Sequence, residues 1–84
     1  MNEVAVIAAI AAEVEVAPGA LRKDARFAED YGVDSLDFVR LVMAVEEAAG
    51  VKIEDKQAAQ AATVGALLDL ARLSQAARER KRSR

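Results

Sequence analysis

Apolar residues recur at steps of three and four along most of this 84-residue chain, and its only proline, Pro18, falls between the first two such stretches. That spacing stacks side chains on one face of a helix, whereas a strand needs strict alternation. The stretch from about Asn2 to Val16 places Val4, Ile7, Ala8, Ala11 and Val14 on one face, with Asn2 as a cap and Pro18-Gly19 as the stop. A second helix should begin at Asp34 or Ser35, run to about Ala49 and end near Gly50, the residue type suited to a left-handed stop. Thr63 is a good cap for a last helix whose buried face is Val64, Leu67, Leu68 and Ala71. Between these, Val51-Lys52-Ile53 reads as a short connector and Glu54 to about Ala61 as two turns of a third helix.

Near this length one small core is only marginally sufficient, so a single domain is expected. The fold class that follows is all-α: a small four-helix bundle with a long first loop, Pro18 to Val33, and a short third helix. So long a loop in so small a domain is usually functional or pinned by its own apolar side chains, and Leu21 and Phe27 are the pins available. Residues 1–77 make up the expected domain, and residues 78–84 a basic, frayed tail.

The second helix has two apolar stripes. Phe38, Val42, Val45 and Ala49, with Leu41 beside them, follow the pattern of a core-facing stripe. Leu36, Val39 and Met43 form another, bordered by Asp34, Asp37, Glu46 and Glu47. The plain reading makes these three core residues as well. The alternative is a docking face, a small apolar anchor whose acidic rim steers basic partners onto it.

Charge supports an acidic docking body. Five of the twelve basic residues lie in the tail Arg78, Arg80, Lys81, Arg82 and Arg84. Residues 1–77 keep thirteen acidic and seven basic side chains, a balance of −6. Such a body favours basic protein surfaces and disfavours nucleic acid, and a tail of five charges without an aromatic partner is a weak nucleic-acid signal. The run Val4 to Ala12 is far shorter than the ~20 residues of a membrane span, and no Lys or Arg precedes Arg22 to make a secretory leader. A buried helix of a cytoplasmic, monomeric protein is expected, with no membrane span.

The sequence contains no His and no Cys. A Ser-His-Asp triad, a thiolate nucleophile and a Cys/His zinc site are therefore excluded from within this chain. Any thioester chemistry needs a sulfur supplied by a prosthetic group. Against that background the tetrad Asp34-Ser35-Leu36-Asp37, preceded by Gly32-Val33, presents one serine at a helix start. Taken alone it is a helix cap, with Asp34 accepting from the Asp37 amide. Its setting, after a long loop and before a double-striped helix, favours Ser35 as a site of covalent attachment. An anionic group there would lie at a helix N-terminus, which suits it, although the carboxylates of Asp34 and Asp37 repel it.

The stretch Phe27-Ala-Glu-Asp-Tyr-Gly-Val-Asp-Ser-Leu-Asp-Phe-Val-Arg-Leu-Val-Met-Ala-Val-Glu-Glu47 resembles the modification site and second helix of freestanding bacterial acyl carrier proteins. The resemblance implies a carrier, not an enzyme, on which Ser35 receives 4'-phosphopantetheine from coenzyme A through a phosphopantetheinyl transferase. The arm then holds acyl intermediates as thioesters and presents them to fatty-acid or polyketide enzymes of ligase, ketosynthase or acyltransferase type, through basic docking surfaces. It implies that Asp34 shares Mg²⁺ during transfer, with no metal in the free protein, and that Asp34, Leu36, Asp37, Val39, Met43, Glu46 and Glu47 meet partners.

Several residues depart from the family pattern. Arg40 takes a position that is usually acidic, Lys56 and Gln57 make the third helix less acidic, Tyr31 replaces a leucine, and Phe38 replaces a small or polar residue near the mouth of the acyl cavity. These departures leave room for an aminoacyl or peptidyl carrier of a specialised pathway, or for a helical adaptor without the prosthetic group.

Overall fold

The computed structural model describes residues 2–82, and side chains as far as residue 80. Five helices follow one another: α1 (Glu3–Val14), α2 (Phe27–Tyr31), α3 (Ser35–Ala49), α4 (Asp55–Ala58) and α5 (Val64–Arg82), with a short 3-10 turn at Pro18–Ala20. The all-α expectation holds, and α1, α3 and α5 are the long members of the bundle. The long loop is less irregular than its sequence suggests, because the 3-10 turn and α2 lie within it. The third helix is one turn, not two, and ends at Ala58.

Helix starts follow their caps. Asn2 Oδ1 accepts from the Ala5 amide at 3.1 Å and Thr63 Oγ1 from the Ala66 amide at 3.1 Å. At the C-terminal ends, Gly32 (φ 65°) and Gly50 (φ 66°) take the left-handed conformation that closes α2 and α3. The first helix ends differently from the expected Pro18-Gly19 stop: Glu15 itself turns left-handed (φ 62°) and returns its amide to the carbonyls of Ala11 and Ala12.

The core is built from Val6 and Ile10 of α1, Leu41, Val42 and Val45 of α3, and Val64, Leu67, Leu68 and Ala71 of α5, closed by Ala25, Phe27, Ile53, Ala58 and Ala61. No polar or charged side chain is buried among the described residues. The buried face expected of α5 is observed residue for residue. That of α1 is observed in part: Ala11 is buried and Ile7 and Val14 pack against the core, but Val6 and Ile10 lead the inward face, whereas Val4 is 78% exposed and Ala8 is exposed. A run with no polar position offers nothing to fix its rotational phase, so the partner helix sets it.

The loop is held by more than its two expected pins. Phe27 is buried and Leu21 packs against the core, as expected, and Ala25 is buried with them. Backbone bonds then lace this segment to the start of α5: Phe27 N to Ala62 O at 3.0 Å, Val64 N to Ala25 O at 3.1 Å and Gly65 N to Lys23 O at 2.8 Å. A Cβ on Gly65 would stand 3.1 Å from that Lys23 carbonyl, so close approach favours glycine there. The segment expected to fray from Arg78 continues α5 as far as Arg82, and the Arg78 guanidinium donates to the Gly50 carbonyl at the end of α3. Ser83 and Arg84 of that tail lie outside the described residues. No helix among the described residues is long and apolar enough to cross a membrane.

Candidate functional site

The start of α3 is a double cap. The Asp37 amide donates to Asp34 Oδ1 at 2.8 Å, and the Asp34 amide donates to Asp37 Oδ2 at 3.5 Å. Two of the amides left open at a helix start are thereby satisfied, and the direction of α3 is fixed at its first residue. That residue is Ser35, which is exposed and whose side chain hydrogen-bonds to nothing among the described residues. Its hydroxyl stands in solvent on a rigid backbone, as a site of covalent modification requires. Among the described residues no group of three or more acidic side chains converges as a metal site.

The two apolar stripes of α3 separate as their spacing suggests. Leu41, Val42 and Val45 are buried and Phe38 and Ala49 pack against the core. Leu36, Val39 and Met43 stay 63%, 55% and 61% exposed, which removes the reading that places all three in the core. Arg40 lies on the same outer face, four residues after Leu36 and three before Met43. Its guanidinium stands 3.8 Å from Asp37 Oδ1.

The acidic residues expected to rim that face differ in what they do. Asp34 and Asp37 cap the helix. Glu46 is half-buried and accepts from the Ile53 amide at 2.7 Å, which the sequence does not reveal, because the two are seven residues apart across a turn. Glu47 is exposed. Near the loop, a hydrogen bond from Arg26 to Glu29 at 2.8 Å holds the Arg26 guanidinium above its usual pKa range, so its charge is unchanged at any physiological pH.

Two clefts open along α3. One, of about 360 Å³, is lined by Phe27, Val33, Asp34, Ser35 and Phe38 on one side and Ala59, Ala61 and Ala62 on the other. The second, of about 250 Å³, lies between Phe38, Val39, Val42 and Met43 and the residues Ile53, Ala58 and Ala59. The alanines of these walls escape a search for chemical groups. Their signal is the cluster Ala58-Ala59-Gln60-Ala61-Ala62, whose small side chains leave room. A larger groove, of about 520 Å³, lies at the far end of α3 among Gly50, Lys52, Leu73 and Arg78, and includes no member of the tetrad.

Comparison with known proteins places the chain among relatives of one kind. The family model described as a phosphopantetheine attachment site matches residues 4–71, which include the tetrad. A protein named acyl carrier protein from Sulfurovum sp. (strain NBC37-1) is 49% identical over 53 residues, covering 63% of this chain and 71% of the relative. A second protein of that name, from Wolinella succinogenes, is 45% identical over 53 residues, covering 63% of this chain and 70% of its own length.

Proposed function

The chain belongs to the acyl carrier proteins, whose prosthetic group is covalently attached 4'-phosphopantetheine, and from that premise we propose that Ser35 carries the arm. The observation that carries this reading is the exposed, unpartnered Ser35 hydroxyl at the first position of a doubly capped helix. In the loading step Ser35 Oγ forms a new bond to phosphorus, the bond from that phosphorus to 3',5'-adenosine bisphosphate breaks, and the serine proton passes to a base on the transferase. Asp34 is the residue that would help hold Mg²⁺ in that step, and the cation would supply positive charge that offsets the repulsion between the Asp34 carboxylate and the incoming phosphate. Once attached, the arm supplies the thiol that this cysteine-free chain lacks.

The protein then acts by presentation and not by catalysis. Leu36, Val39 and Met43 form the apolar anchor of a docking face, and Asp34, Asp37, Glu46 and Glu47 supply its negative field. Partners with basic surfaces, among them the transferase and acyl-processing enzymes of fatty-acid or polyketide type, meet it in brief, fast encounters in the cytoplasm. A monomer suffices for this.

The test is the intact mass of the protein after incubation with coenzyme A, Mg²⁺ and a broad-specificity phosphopantetheinyl transferase, beside Ser35→Ala. A gain of one phosphopantetheine unit in the wild type alone is expected. No gain in folded protein with several transferases overturns the assignment.

A further inference from the structure

The helices α3 and α5 run in the same sense. The start of α5 is laced to residues 23–27, whose Phe27 ring leans on Phe38 near the Ser35 end of α3, and the Arg78 guanidinium reaches the Gly50 carbonyl at the other end. The fifteen residues from Ser35 to Ala49 put those two ends about 22 Å apart. Past Arg78, α5 continues to Arg82 and so leads away from Ser35. Apolar and cationic groups adjoin at this far end. Leu70, Leu73 and Ala77 recur at steps of three and four and line the groove of about 520 Å³ together with Lys52 and Arg78. Leu73 is 68% exposed. Residues 78–84 add four further cations, Arg80, Lys81, Arg82 and Arg84, against one carboxylate, Glu79. Glu47 and Glu54 are the exposed acids nearest Gly50 in sequence, so cations outnumber acids here by six to three.

We propose that this end of the bundle is a docking surface for an anionic lipid bilayer, with Leu73 entering the boundary between headgroups and chains and the basic end of α5 meeting the phosphates. Charge decides the orientation. The acids that cap α3, Asp34 and Asp37, lie roughly 20 Å away, more than two screening lengths of about 8 Å, so the bilayer attracts the basic end without meeting their repulsion. Docking of this kind turns Ser35 toward water, and nothing in the contact depends on what Ser35 carries. A bilayer fits this end better than other polyanions do. Nucleic acid would find no ring to stack on, since no residue after Phe38 is aromatic. An acidic protein would need cations in a fixed register, whereas these crowd one chain end, which a fluid surface accommodates. The apolar stripe beside them is the second element of an interfacial contact. Each basic residue near such a surface strengthens binding roughly five-fold, and one inserted leucine is a weak anchor, so the contact is reversible and falls with salt.

The experiment sediments the full chain with vesicles of phosphatidylcholine alone and of phosphatidylcholine containing about one third phosphatidylglycerol, with folding checked by circular dichroism. Binding to the anionic vesicles should exceed that to the neutral ones at least about tenfold at physiological salt and vanish at high salt. Arg80→Gln combined with Lys81→Gln should weaken it about 25-fold. Leu73→Ser, at an exposed position that does not threaten the fold, should weaken it about tenfold through the lost apolar contact. Failure to bind anionic vesicles, equal binding to both kinds, or wild-type affinity in either variant overturns the proposal. Retention on immobilised polyglutamate without binding to vesicles overturns it as well, and assigns the basic end to an acidic protein.

Discussion

The carboxylate of Glu46 accepts a 2.7 Å hydrogen bond from the Ile53 amide, and thereby ties the end of α3 to the connector that leads into α4. Glu47, its neighbour in sequence, points into solvent. Two adjacent acids on one helix therefore do different work. Glu46→Ala should destabilise the fold by about 1.5–3 kcal/mol, the range for a hydrogen bond to a charged group, since the Ile53 amide loses its partner. Glu47→Ala should leave stability within about 0.5 kcal/mol. Urea denaturation of both variants checks this, and equal effects would refute the distinction.

Asp34 has a structural role in the cap and a proposed chemical role in loading, and one pair of substitutions separates them. Asparagine caps as well as aspartate, so Asp34→Asn should melt near the wild type, whereas Asp34→Ala should lose about 1 kcal/mol. The amide is a poor Mg²⁺ ligand beside a carboxylate. Both variants should therefore be loaded by the transferase at least about tenfold more slowly. Loading of Asp34→Asn at the wild-type rate would leave Asp34 with the cap alone.

At Glu15 the backbone is left-handed (φ 62°) with a side chain that gains no described hydrogen bond or ion pair from it. Left-handed geometry costs an L-residue about 1–2 kcal/mol, and glycine escapes that at an entropic cost of roughly 0.5–1 kcal/mol. Glu15→Gly should accordingly stabilise the protein, by up to about 1.5 kcal/mol. A lower melting temperature for Glu15→Gly would show that the side chain contributes more than its geometry reveals.

Where polar residues interrupt the apolar pattern, the sequence is enough to orient a helix. Asp34, Asp37, Arg40 and Glu47 mark the outer face of α3, so its inner stripe and its exposed stripe are both legible from the order of residues. In α1 the run Val4 to Ala12 has no such marker, and packing against α3 turns Val6 and Ile10 inward in place of Val4 and Ala8. The site shows the same division. The cap of Asp34 and Asp37 is local, and spacing alone finds it, whereas the resemblance to carrier proteins is what singles out Ser35 within it. The Glu46–Ile53 bond, the lacing of residues 23–27 to 62–65 and the clefts on either side of Phe38 depend on chain segments that meet only in the fold.

The outer face of α3 makes the last test, because Leu36, Val39 and Met43 are exposed and Arg40 lies among them. Side chains that contribute nothing to the core can change without changing stability. Met43→Glu should stay within about 0.5 kcal/mol of the wild type in denaturation. If Met43 anchors a partner, the same substitution should lower kcat/KM for transferase loading about tenfold, the loss of roughly 1.4 kcal/mol expected of an interface contact. Arg40→Glu acts in the opposite direction. It removes a cation from a face that is otherwise negative and should speed loading by a transferase with a basic docking surface. That gain should shrink as ionic strength rises, since exposed charges are screened over about 8 Å at physiological salt. A stability loss in Met43→Glu equal to that of a core substitution, or loading of Arg40→Glu indifferent to salt, would remove this face from partner recognition and leave Ser35 to be found by other surfaces.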